Sequence, residues 1–366
     1  TLRDEKEFKN LFKGILALSI AITRQSHEKA NEIIRQGIAR ELKNLNITRD
    51  ESPNVELEYF YIKYNLIQKA SYFFLVALIF VVISLIGGGI KTGRIFSLLV
   101  ASCGFLLETI DLVLRIIISS RAPVSSFYES IYYISWGIFL FSFIYYVIFK
   151  NYIVISCGIF LNTLILILTP YTGLNPHIKV LMPALRSYWL IYHVHTITLS
   201  YALFAISYIL SHIIGIKYLL KKELDNDLIN IVSRMIQAGI VFLSIGIMLG
   251  SIWGAEAWGR YWGWDPKETW ALITLLGYLT LIHMKKAGTI GHFGITIGTI
   301  LCFFLVVITY YGGSFIFVGL HSYAGDNITN LLPSWLIITA LVECIFIGYS
   351  IFVHNNILLT KSTSHR

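Results

Sequence analysis

From about residue 71 onward the chain is a succession of long apolar runs joined by short polar stretches. The runs fall at about 71–90, 96–119, 128–148, 152–169, 189–216, 235–254, 269–284, 293–311 and 333–353. Several reach the roughly 20 apolar residues that a helix needs to cross a bilayer. The pattern predicts an all-α fold, a polytopic membrane helical bundle of about nine spans. No fixed-period repeat is visible. Residues 1–70 break the pattern, being charged and interrupted. Leu11 to Thr23 is apolar but short, is broken by Lys13, and suits an amphipathic helix packed on a partner or on the membrane surface. Ala30 to Leu45 also reads as helix, and Asp50-Glu51-Ser52-Pro53-Asn54 as a break. Three regions are therefore expected: 1–70, a charged, amphipathic helical region outside the cytoplasm; 71–354, the membrane domain; and 355–366, a short cytoplasmic tail.

Composition agrees with a membrane domain. Of 366 residues 56% are hydrophobic and 14% charged, far too apolar for a soluble chain of this size. The net charge of +8 would suit nucleic acid, but in a membrane protein such charge is expected in the loops facing the cytoplasm. Lys91, Arg94, Lys150, Lys217, Lys221, Lys222, Arg234, Lys285, Lys286, Lys361 and Arg366 all fall on one side of the predicted topology. That side is expected to be cytoplasmic or stromal, with residues 1–70, the joint after 254 and the loop 312–332 opposite. The four cysteines, Cys103, Cys157, Cys302 and Cys344, lie inside apolar runs without C-x-x-C spacing. They read as small buried hydrophobes, not as a disulfide framework, a zinc site or a haem-attachment motif. The opening residues lack the charged-then-apolar layout of a signal peptide, so none is expected there.

Candidate chemistry concentrates in one joint. Trp253, Trp258, Trp262, Trp264 and Trp270, five of the eight tryptophans, stand within 18 residues, interleaved with glycine. The run reads as a loop at the membrane surface forming a flat platform for a large, planar, apolar ligand. Asp265-Pro266-Lys267-Glu268 has the spacing of a helix N-cap with a capping box, which accounts for both carboxylates without catalysis. His193, near the outer end of a span, and His321, in Gly319-Leu320-His321-Ser322-Tyr323, fall on the same side as the tryptophans. Each is either an ordinary hydrogen-bonded histidine or an axial ligand to a haem iron. His195, two residues from His193, points to another helix face and is taken as structural. His283 lies 13 residues after Trp270, roughly 20 Å deeper along one helix. It is either a functional intramembrane group or a side chain snorkelling beside Lys285 and Lys286. Glu108, Asp111 and Arg115 share a span, and the last two are spaced to pair; the cluster reads either as an internal ion pair locking the bundle or as a route for protons or substrate.

These segments together resemble the CcsA (ResC-like) component of the System II cytochrome c synthase, one of the haem-handling membrane proteins with a tryptophan-rich WWD loop. The resemblance rests on Trp253 to Trp270, including Trp258-Gly259-x-x-Trp262-x-Trp264-Asp265-x-x-Glu268. It extends to Arg121–Ser130, to Ser187–Val194 and to Gly319–Tyr323, covering about 55–325. The stretch Val55–Tyr61 is closer in style to fused CcsB–CcsA proteins.

The resemblance implies haem transport across the membrane and presentation of haem for thioether attachment to the C-x-x-C-H of apocytochrome c. This chain would then be a subunit of a cytochrome c synthase (haem lyase). His193 and His321 would be the external haem-iron ligands and His283 a transit ligand. Trp253, Trp258, Trp262, Trp264, Asp265 and Trp270 would form the haem-binding surface. Haem b would be the transported substrate. A CcsB/ResB-like membrane protein, apocytochrome c and thiol-reducing proteins would be the partners. The membrane would be the bacterial cytoplasmic membrane or the plastid thylakoid, with the WWD loop outside. The other readings are a System I haem-delivery component of the CcmF or CcmC type and a transporter for a non-haem solute.

Overall fold

The computed structural model describes residues 53–364 except 89, 179–186, 222 and 322–333, together with 32, 36 and 37. The helices expected at 11–23 and 30–45 lie largely outside these described residues. The chain divides into two compact units, Thr1–Tyr64 and Asn65–Arg366. The described part of the first is chiefly helix α1, Pro53–Tyr64.

The second unit is built of helices and short connections, with no strand among its described residues. Its helices are α2 Leu66–Ile86, α3 Lys91–Ser119, α4 Phe127–Phe149, α5 Tyr152–Leu168, α6 Tyr188–Lys221, α7 Asn226–Trp258, α8 Pro266–Lys286, α9 His292–Val307 and α10 Ser334–Ser364. Among the described residues eight helical segments are long and apolar enough to cross a membrane, so the chain is an integral membrane protein. The exception is α8, which has 21 residues but carries Lys267, Glu268, His283, Lys285 and Lys286.

The packing centres on α6, which lies against α7 along much of its length and also meets α4 and α9. Around it Ile138, Phe204, Ile206, Leu210, Ile214, Ile236, Leu243, Tyr278 and Ile295 form the main apolar core. Phe204 of α6 and Tyr278 of α8 stack at 3.9 Å with 4° between their planes, which locks α8 to the central helix. A second core joins α2 to α5 through Phe74, Ala77, Ala101, Phe139, Ile155 and Ile159. Basic side chains collect at one end of the unit. Arg94 lies over the Tyr152 ring, Arg234 over the Phe149 ring, and Lys285 donates to Ser233.

Local sequence sets the helix ends at the opposite pole. Ser126 and Glu129 close a capping box at the start of α4. Gly259, with φ 71°, ends α7 in the left-handed conformation that suits glycine. Asp265 and Glu268 close a second box at the start of α8, with Pro266 in its first turn. This corrects the reading of the whole tryptophan run as loop. Trp253 and Trp258 are in α7, Trp270 is in α8, and the connection between the helices is confined to 259–265. The glycine stop and the Asp-Pro start are strong local signals that shorten the joint from both sides.

One further expectation changes. Cys103 and Cys344 are exposed on the outside of the unit rather than buried, while Cys157 is buried; all four thiols are free. An apolar run in a bilayer has a lipid side as well as a core side, and sequence alone does not separate them. Arg115 also reaches Glu129 of α4, with Nε 2.9 Å from Oε1. Arg121 approaches the same carboxylate at 3.4 Å.

Candidate functional site

Three segments remote in sequence build a cleft at the pole where α7 ends and α8 begins. Its lining includes His193 and Tyr201 of α6, Gly250 of α7, Trp262 of the connection, Lys267 and Glu268 of α8, and Thr309 and His321 beyond α9. The chain after α9 runs as a π-helix over Ile308–Ile316 before reaching His321. Wide π turns recur at functional sites. Here Lys267 Nζ donates to Ser314 Oγ at 2.8 Å, and Ser130 and Tyr310 hydroxyls bond at 2.7 Å, pinning the segment to α8 and α4.

His193 and His321 are oriented in the same way by different means. Nδ1 of His193 lies 2.7 Å from the carbonyl oxygen of Gly246 on α7. A carbonyl can only accept, so Nδ1 carries the proton and Nε2 of the neutral ring keeps its lone pair. Nδ1 of His321 lies 2.9 Å from Asp265 Oδ1, and the carboxylate imposes the same tautomer. Carboxylate or carbonyl partners of this kind fix metal-binding histidines elsewhere. His195, His212 and His283 instead place Nδ1 against the carbonyl four residues earlier in their own helix.

Asp265 therefore has two tasks. It caps α8 through the N–H of Lys267 at 3.0 Å, and it accepts the N–H of Leu320 at 2.6 Å as well as the His321 ring. Burial opposes ionisation of this carboxyl. The hydrogen bond and charge of His321, with the backbone donors, outweigh burial and hold it down at about 2. Glu268 folds the connection by accepting from Gly263 N–H at 2.8 Å and Asp265 N–H at 3.2 Å.

The tryptophans are not one flat platform. Trp253 is 3% exposed and touches both histidines, stacking on His193 at 5.9 Å and meeting His321 edge-on at 5.3 Å. Trp258 meets Trp253 and His321 edge-on at 4.6 and 5.0 Å. Trp262 lines the cleft, and Trp264 crosses it edge-on at 5.8 Å. Trp264 is 71% exposed and, at φ 57°, holds a left-handed backbone that costs a bulky residue about 1–3 kcal/mol. Trp270 stacks on Phe317 at 6.1 Å and does not line the cleft. Helical spacing separates these rings: two belong to the buried wall, two to the connection and one to a supporting stack.

His283 is not part of this site. It is exposed, in the last turn of α8 beside Lys285 and Lys286, at the basic end of the unit. Sequence reasoning missed Gly250. A Cβ there would stand 2.6 Å from the His193 ring, so glycine is needed for the ring to approach α7. It also missed the pairing of Asp265 with His321, 56 residues apart.

The fold and site define a class: a helical integral membrane protein with two histidines converging on a tryptophan-walled cleft. Residues 124–321 match the family described as Cytochrome C assembly protein. The chain is 36% identical over 234 residues to protein NrfI of Wolinella succinogenes, covering 61% of this chain and 25% of that one. It is 34% identical over 253 residues to the cytochrome c biogenesis protein CcsA of Prochlorococcus marinus, covering 60% of this chain and 81% of the relative. With CcsA of Lactuca sativa the identity is 31% over 278 residues, covering 62% and 85%. The chain belongs to the cytochrome c assembly family and is a CcsA-like cytochrome c biogenesis protein. It spans about four fifths of the CcsA relatives but a quarter of NrfI.

Proposed function

We propose that this chain binds haem as a substrate at the cleft and presents it for attachment to apocytochrome c, as a subunit of a cytochrome c synthase. The observation that carries the reading is the pair His193 and His321, each held by Nδ1 so that Nε2 is the coordinating atom, with Trp253 against both rings. Those Nε2 atoms would ligate the iron. The cleft is small and partly open, with a cavity volume of about 70 Å³. The macrocycle would therefore lie at the mouth of the cleft, against Trp262 and the exposed Tyr261 and Trp264, with its vinyl edge accessible from outside.

Attachment adds each cysteine thiol of C-x-x-C-H across a vinyl double bond. A carbon–sulfur bond forms, the thiol hydrogen passes to the neighbouring vinyl carbon, and no net oxidation occurs. The cofactor supplies the reactive group, and this chain supplies position and exclusion of water. Both thiols must arrive reduced, which assigns a role to thiol-reducing partners.

His283 would hold haem in transit at the basic end. Its exposure on the outside of the unit fits a site completed by a CcsB-like membrane partner. The basic end would face the cytoplasm of a bacterial cell or the stroma of a plastid, with the cleft on the other side. The tryptophan–aspartate wall favours System II over a System I delivery component only through its relatives, because both classes handle haem. A non-haem transporter is disfavoured by the matched tautomers of two histidines in one cleft.

The test is a reduced-minus-oxidised absorption spectrum of the purified chain, alone and with a CcsB-like partner, in wild type, His193→Ala and His321→Ala. A b-type haem spectrum that weakens or shifts in both variants is the expected result. Unchanged spectra and unchanged cytochrome c maturation in both would overturn the assignment of these ligands.

A further inference from the structure

The bundle buries a second polar site that the cleft does not use. Glu108 of α3 is 0% exposed. It lies 11 residues before Ser119, the cleft-side end of the helix, or about 16 Å along the axis. That depth is near the middle of a hydrocarbon layer about 30 Å thick. Asn162 of α5 donates from Nδ2 to Glu108 Oε2 and to the Ser135 carbonyl of α4, both at 3.1 Å. The remaining atoms do not balance. Glu108 Oε1, Asn162 Oδ1 and Ser135 Oγ are buried and complete no hydrogen bond among the described residues. An ionised carboxylate and an amide oxygen only accept, so this site has two acceptors and a single hydroxyl proton.

Charge points the same way. Asp111, three residues on along α3 and also buried, places a like charge near Glu108. Arg115 reaches Glu129 and donates to the Pro176 carbonyl at 2.8 Å, and Arg121 reaches Glu129 as well. Tyr128 of α4 lies under the Arg115 guanidinium at 5.3 Å. One turn before Glu108 on α3, Gly104 packs against Phe73 and Phe74 of α2. No basic side chain among the described residues bonds to Glu108. An ionised carboxylate at this depth without a basic partner costs several kcal/mol. One added hydrogen removes the conflict, because the acid O–H becomes the missing donor and the Ser135 hydroxyl can serve the second acceptor.

We propose that Glu108, Ser135 and Asn162 form a buried proton-binding site, separate from the histidine–tryptophan cleft, in which Glu108 is held as the carboxylic acid. The ligand is a proton from water. It joins the carboxylate without any oxidation or reduction, and it leaves Asp111 and the Arg115–Glu129 pair as the charged layer between Glu108 and the cleft end.

The test is infrared spectroscopy of the full chain in lipid nanodiscs at neutral pH. The expected result is a carbonyl band of a protonated carboxylic acid that shifts down in heavy water. The band disappears in Glu108→Gln, which keeps the shape and the donor, and persists in Asp111→Asn. Asn162→Leu, which changes no charge, raises its frequency by removing the Nδ2 donor from Glu108 Oε2, and this keeps the test open if Glu108→Gln fails to fold. The proposal is overturned if wild type shows no such band, if the band survives Glu108→Gln, if Asp111→Asn removes it, or if Asn162→Leu leaves its frequency unchanged. A carboxylate band that follows sodium concentration would assign the site to a metal cation instead.

Discussion

The cleft end and the basic end of the unit both present histidines, but they hold them differently. At the cleft, His193 is fixed by Gly246 of a neighbouring helix and His321 by Asp265, 56 residues away in the chain. At the basic end, His283 bonds to Leu279 of its own helix and is exposed. A ligand fixed across elements is preorganised before anything binds. One fixed within its own helix on an outer surface fits a site that a second protein finishes. Under the proposed function, the difference would divide a pole complete in this chain from one that a partner completes.

The largest expected effect breaks the comparison directly. In the isolated chain, His193→Ala or His321→Ala should reduce haem retained at the cleft by more than about tenfold, because direct ligands outweigh the 10–100-fold losses seen for their supporting partners. His283→Ala should leave that spectrum unchanged and matter only with the partner present. Haem titration of the three purified variants checks it; equal losses in all three would erase the distinction between the poles.

Next comes the support of His321. Asp265→Asn keeps a side-chain oxygen for the cap but loses the carboxylate that sets the tautomer, and should weaken haem retention by about tenfold. Asp265→Ala should add about 1 kcal/mol of lost helix capping. Comparing haem affinity with thermal unfolding separates the two effects. A variant with normal affinity and reduced stability would make Asp265 a cap and nothing more.

A smaller change should follow at Gly250. Gly250→Ala places a methyl group against the His193 ring and should lower haem affinity several-fold, while Gly348→Ala, at a position with open space, should not. Identical haem titrations for the two variants would show that His193 does not depend on its approach to α7.

The smallest effect is in acid. The Asp265 carboxyl is lowered in the folded protein to about 2, below the ordinary value of about 3.9. Its contribution to stability is present above the ordinary value and is lost as pH falls toward 2. The stability gap between wild type and Asp265→Asn should therefore narrow between about pH 4 and pH 2. A gap independent of pH in that window would contradict the link to ionisation.

The apolar runs by themselves determined an all-helical membrane bundle, and Gly259 with Asp265-Pro266-x-Glu268 determined where α7 ends and α8 begins. These are local effects: burial of a long apolar segment and satisfaction of helix-end donors need few distant contacts. The histidines and tryptophans were also legible as candidates, because their types and spacing stand out in an apolar chain. Only the tertiary structure decided that Trp253 sits between two histidines, that Trp270 supports Phe317, that Arg115 turns to Glu129, and that Asp265 orients His321. Each depends on helices from separate parts of the chain meeting at one pole. Helical period says which face a residue shares, while packing decides what that face meets.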